Sequence, residues 1–184
     1  MNIIKIQLPT ITCNHSQSAS ILEIIIHTIL FQRTIGMRVK PREIESYLFD
    51  DLVYVAIDDD TIINRIKHEL IRICQTKEGN SLPIVLSLYY SIKRYGFLGE
   101  YYEKVEFERW SITLQHALHK TFVDEHKLQS EIQLTLHTIL SNHDLPLQLP
   151  NHEQFSFMIV NSASKQSGLM YDMLESASRM FGTP

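Results

Sequence analysis

The sequence predicts an α+β domain in which an antiparallel sheet is backed by three main helices. Three observations carry this. Apolar residues alternate with others over 82–93 and again over 105–118, on either side of a short segment, which predicts a long hairpin. They recur at helical spacing over 62–74 and 124–144. The elements run strand, helix, hairpin, helix, strand, strand, helix, strand, helix, with helices laid against the sheet.

Taken in order, IIKIQLP (3–9) alternates and predicts a first strand. Ser16, Ser18 and Ser20 offer caps for a helix over 17–35, and Gly36 offers a stop. That helix is apolar nearly all round, so the rest of the domain must wrap it. Its isoleucines also suit a strand; its length, with Glu23, His27 and Arg33, favours a helix. Residues 37–57 hold short apolar runs broken by Pro41 and Asp50-Asp51 and predict a hairpin or an irregular β segment. Asp58, Asp59 and Asp60 stand where acids cap a helix start, and Ile62, Ile63, Ile66, Leu70, Ile73 and Cys74 follow. The helix over 124–144 places Leu128, Ile132, Leu136, Ile139 and Leu140 on one side. LPLQLP (145–150) is excluded from helix by its prolines. QFSFMIV (154–160) predicts a strand and SGLMYDMLESASRMF (167–181) a C-terminal helix.

The 184 residues suit one domain, over 1–184, with a real core. A net charge of −4 supplies no field for nucleic acid or anionic lipid. Two cysteines, Cys13 and Cys74, are no disulfide framework. The N-terminal residues lack a signal-peptide pattern, and the longest apolar run, 21–31, is too short to span a bilayer. The expectation is a cytoplasmic protein.

No chemistry stands out. None of the six glycines is spaced as a phosphate loop, and no nucleophile elbow occurs. Cys74 falls on an apolar helix face, where a thiol is inert. His116, His119 and His126 lie close in sequence, yet without metal-site spacing they read as surface histidines on a turn. His27 and His137 read as satisfied core or interface histidines. The carboxylate pairs at Asp50-Asp51 and Asp58–Asp60 read as turn and cap residues. No catalytic residue, cofactor or metal is expected.

One stretch resists that reading. KRYGFLGEYYEKVEFERW (93–110) places Tyr95, Phe97, Tyr101 and Tyr102 where polar turn residues belong. The rings either fold back as a lid over the sheet edge or project as an anchor. Gly96 and Gly99 let the chain turn sharply around Phe97.

The chain resembles the autophagy-related protein 101 family of HORMA-domain proteins. ILEIIIHTILFQRTIG (21–36) is similar to that family's first long helix, through His27-Thr28, Arg33 and Gly36. LSLYYSIKR (86–94) and EFERWSITL (106–114) resemble its strand, protruding loop and tryptophan-containing strand, with Trp110 as the tryptophan. ILSNHDLPLQLP (139–150) resembles the helix end that follows, and SFMIVNSASKQSGLMYDMLESASRM (156–180) the closing strand and helix. The resemblance implies a HORMA-like fold and a non-enzymatic adaptor of the autophagy-initiation kinase complex. It implies a heterodimer that stabilises the HORMA domain of autophagy-related protein 13, with helix 124–144 as the contact. It also implies recruitment of downstream factors by residues 94–104 at phagophore assembly sites, with neither nucleic-acid binding nor direct membrane insertion. The family's loop works through a Trp and a Phe; Tyr95 and Phe97 occupy those positions here, with Gly96 where proline is usual. Two alternatives stay open. One is a HORMA adaptor of checkpoint or meiotic type, disfavoured by the short stretch after Leu149. The other is a small metal-dependent hydrolase using His116, His119 and His126.

Overall fold

The computed structural model describes residues 3–34, 39–49, 52–75, 79–97, 99–117, 123–142, 155–163 and 170–172. Strands β1 (Ile4–Gln7) and β2 (Ile11–Cys13) lead into helix α1 (Ser18–Arg33). Ile21, Leu22, Ile24, Ile25, Ile26, Ile29 and Leu30 of α1 are all buried. The β-branched side chains cost roughly 0.5 kcal/mol each in a helix, whereas burying each contributes about 2 kcal/mol, so the surrounding elements decide the conformation. The helix ends where the Thr34 hydroxyl donates to the Phe31 carbonyl at 2.7 Å.

The two-stranded ribbon β3 (Pro41–Glu45) and β4 (Val53–Ile57) is antiparallel, as expected, and β4 lies against α1. Helix α2 (Asp60–Gln75) is started by Asp59, whose carboxylate accepts from the N–H groups of Thr61 and Ile62 at 2.8 and 3.2 Å. Its Ile62, Ile66, Leu70, Ile73 and Cys74 are buried. Asp58 and Asp60 both bind Arg42 of β3, which ties the ribbon to the helix start.

The main sheet is built on β5 (Ser81–Gly96) and β6 (Gly99–His116), which pair antiparallel along their whole length. The strand order is β1-β6-β5-β7-β8, with β7 (Phe155–Asn161) and β8 (Met170–Asp172) both antiparallel to their neighbours. The expected antiparallel pairing holds from β6 through β8, whereas β1 and β2 lie parallel to β6 and make the sheet mixed. Alternation in IIKIQLP reports a half-buried strand and says nothing of its direction. A bulge opposite Leu88 and Tyr89 inserts Phe107 into β6 as the extra residue and turns both Phe107 and Glu108 inward.

Helix α3 (Glu125–Ser141) is capped by Asp124, which accepts from the His126 and Lys127 N–H groups. Leu128, Ile132 and Ile139 are buried. Leu140, expected on that side, is exposed, as is Leu134. The expected C-terminal helix over 167–181 is not what its described part forms: Met170–Asp172 is strand β8. The open edge of β7 supplies backbone partners there, and pairing overrides local helical preference. The remainder of 167–181, LPLQLP, Asp50-Asp51, Gly36 and His119 lie outside the described residues.

One buried polar network crosses the core. Arg33 and Glu108, each 1% exposed, pair at 2.9 Å. The Trp110 indole N–H donates to the same carboxylate oxygen. Arg33 also donates to the Asn142 carbonyl at 3.1 Å and lies over the Trp110 ring. The end of α1, the centre of β6 and the end of α3 are thereby held together.

Candidate protein-interaction sites: an aromatic arm and an apolar groove

The aromatic stretch is a ladder rather than a loop. Residues 91–96 of β5 and 99–104 of β6 continue the pairing beyond the body of the sheet. Among the described residues β7 stops opposite Tyr90 and β1 stops opposite Glu108, so the two strands project as an arm. Pairing puts Ile92, Arg94, Tyr101 and Glu103 on one face, and Lys93, Tyr95, Glu100 and Tyr102 on the other. Each face carries one cross-strand ion pair: Arg94 with Glu103 at 2.8 Å and Lys93 with Glu100 at 2.6 Å. Glu103 pushes the Arg94 pKa up. The Lys93 ammonium also lies over the Tyr95 ring. These exposed pairs contribute little individually, but they brace both faces of the ribbon where it leaves the core.

The turn depends on its glycines. Gly99 has φ +117°, a conformation that L side chains rarely adopt. A Cβ on Gly96 would stand 3.3 Å from the Tyr101 ring, which lies over that position. Phe97 sits between them, fully solvent-exposed. Tyr95 is 76%, Tyr102 62% and Tyr101 54% exposed, so the rings project and do not fold back as a lid. The structure thus brings Tyr95 and Phe97 together at the apex of the arm. Sequence reasoning named both residues and missed the ladder, because turn-like composition hid the continuing alternation.

A second feature was invisible in the sequence. An apolar groove of about 290 Å³ opens between α1, β4 and α3, lined by Phe31, Val53, Tyr54, Val55, Leu136 and Leu140 among others. Val53 and Leu140 are more than half exposed, and Leu134 stands exposed on α3 nearby in sequence. Three segments distant in the chain make this surface, so no local pattern announces it.

The other candidates are structural. Burial pushes the Cys13 thiol up to about 11 and the Cys74 thiol up to about 12, far from a reactive thiolate. The His116 Nε2 lies 3.0 Å from the Ser18 hydroxyl, and its ring packs edge-on against His15. Burial and the neighbouring His15 push its pKa down. His126 lies in the first turn of α3, where its backbone N–H meets the Asp124 cap. Among the described residues no group of three His, Cys, Asp or Glu side chains is placed to hold a metal ion. His137 is exposed, which corrects the core reading. His27 is buried as expected but not satisfied: it stacks on Tyr54, and neither ring nitrogen has a hydrogen-bond partner. Burial pushes its pKa down to about 4.

A mixed sheet packed on a buried central helix, with a projecting hairpin whose aromatic rings are exposed, defines a HORMA-like α+β protein. The sequence profile of the family described as Autophagy-related protein 101 matches residues 10–159, most of the chain, and the chain belongs to that family. Membership gives it a role in autophagy. No curated protein matches the chain significantly. No described helix is long and apolar enough to cross a membrane.

Proposed function

We propose that this protein is a non-enzymatic adaptor subunit of the autophagy-initiation kinase complex. It heterodimerises with the HORMA domain of autophagy-related protein 13 and stabilises it. It recruits downstream factors through residues 94–104, with Tyr95 and Phe97 as the anchors, in the cytoplasm at phagophore assembly sites. The observation that carries this reading is the fully exposed Phe97 at the apex of a braced arm, with Tyr95 beside it. Large rings with few rotors to freeze are what binding hot spots use. An arm already folded in water does not have to be ordered on binding.

The partner-facing surface in this proposal is the groove along α3. It is apolar and edged by the exposed Val53 and Leu140, so a partner's side chains would remove its lining from water. In cells lacking the endogenous chain, Tyr95→Ala with Phe97→Ala should restore the kinase complex but not the accumulation of downstream factors at assembly sites. Full restoration of both by the double variant contradicts the anchor role.

A further inference from the structure

We propose that, contrary to the expectation of no direct membrane insertion, the tip of the arm also dips shallowly into the interface of a zwitterionic lipid bilayer. The proposal shares the arm with the adaptor reading but needs no protein partner. Its basis is the order of side chains along the arm. Phe97 forms the apex and is fully exposed. Behind it comes a collar of three exposed tyrosines, present on both faces: Tyr95 and Tyr102 on one, Tyr101 on the other. Tyr101 and Tyr102 pair with Arg94 and Lys93, so the cations stand level with the far side of the collar.

A strand rises about 3.3 Å per residue, which sets Tyr95 roughly 7 Å and Lys93 roughly 13 Å behind the apex. Side chains that anchor at an interface reach roughly 5–10 Å into the headgroup and acyl boundary. Phe97 would then lie among the first acyl carbons and the tyrosines among the headgroups with their hydroxyls wet; Glu100, opposite Tyr95, would stand at headgroup level as well, held by Lys93, with the Arg94–Glu103 pair behind it. Tyrosine is the residue that favours this stratum, because one end of it is apolar and the other polar. Rings on one face alone would suit a flat protein surface; rings around an apex are wetted on all sides, and a bilayer interface covers them on all sides.

Charge selects the lipid. Between residues 92 and 103, the part of the arm nearest the tip, there are two cations, Lys93 and Arg94, and two carboxylates, Glu100 and Glu103; Lys104 stands opposite Ser91, about 20 Å behind the apex. Glu100 and Glu103 are held by Lys93 and Arg94, so the arm presents no net charge to a headgroup plane. The chain as a whole carries −4. An anionic membrane therefore offers no attraction, and a single Phe-led tip binds only weakly and reversibly. Such a tip favours strongly curved bilayers, whose loosened headgroups expose acyl carbon.

The test uses the full chain with phosphatidylcholine vesicles, small sonicated and large extruded, without other proteins. Phe97→Trp adds an exposed indole, and the buried Trp110 signal of the wild type is subtracted. The new indole should shift to the blue on small vesicles and be quenched by lipids brominated near the headgroup end of the chain. Phe97→Ala should lower partitioning about tenfold or more, given the apolar area it removes. Partitioning should be unchanged by added salt or by phosphatidylserine. No partitioning into small vesicles overturns the proposal, as does partitioning indifferent to Phe97→Ala, or partitioning that requires anionic lipid and fades with salt. Recruitment in a detergent-cleared lysate contains no bilayer, so its success beside a vesicle failure leaves the protein anchor standing and removes only the lipid role.

Discussion

At the scale of single residues, a lone buried histidine and a buried ion pair shape the energetics. His27 is isolated in the core with both ring nitrogens unpartnered. Its pKa falls from an ordinary 6.5 to about 4 because burial disfavours the charged ring. A depressed histidine pKa means that the unfolded chain binds the proton more readily. Stability from this group is therefore complete above about pH 6.5 and is lost as pH falls towards 4, by about 3 kcal/mol in total. Urea unfolding at several pH values between 7.5 and 4.5 should show that loss, and His27→Leu should flatten the curve and raise stability near pH 5. An unchanged slope in His27→Leu contradicts the assignment. Arg33 and Glu108 behave oppositely. Removing one of them, as in Arg33→Met, leaves a buried carboxylate uncompensated and should cost roughly 3–5 kcal/mol. Arg33→Met with Glu108→Leu should recover most of it, which double-mutant denaturation curves will show. The sequence disclosed that His27 and Arg33 sit on an apolar helix, but not that one is paired and the other orphaned. Their partners come from β6 and β4, far along the chain.

At the scale of elements, the arm is held by its two glycines and its cross-strand pairs. Gly99→Ala forces a side chain into a left-handed backbone and should loosen the turn at a cost of about 1 kcal/mol or more. Amide exchange should quicken in residues 91–104 while the protection of the core strands is unchanged; equal loosening everywhere would mean that the arm is part of the core. Local pattern served well where an element buries one face: α2, α3, β5 and β6 lie where periodicity put them. It failed where pairing decides. The direction of β1 and β2, the bulge at Leu88–Tyr89 and the strand at Met170–Asp172 all depend on which backbone lies alongside, and no short window contains that information. It failed again at Leu140, one residue beyond the buried Ile139, where a helix turns from core to solvent within about 100°.

At the scale of the whole molecule, the two exposed apolar features lie on different elements: the arm at the end of the β5–β6 ladder and the groove between α1, β4 and α3. An adaptor needs that separation, one surface to join its complex and another to offer what the complex recruits. Leu134→Asp with Leu140→Asp should abolish co-elution with the autophagy-related protein 13 HORMA domain on size exclusion, with thermal unfolding of the chain itself unchanged, since both side chains are exposed. Co-elution at wild-type affinity removes α3 from the proposed interface. The most direct test of the anchor is affinity purification from cells with the wild-type chain and with Tyr95→Ala plus Phe97→Ala, read by mass spectrometry after equal folding is verified by circular dichroism. The account predicts that a HORMA partner and the autophagy-initiating kinase accompany both forms, while a defined set of downstream factors accompanies only the wild type. Identical protein sets with both forms would contradict the arm's role.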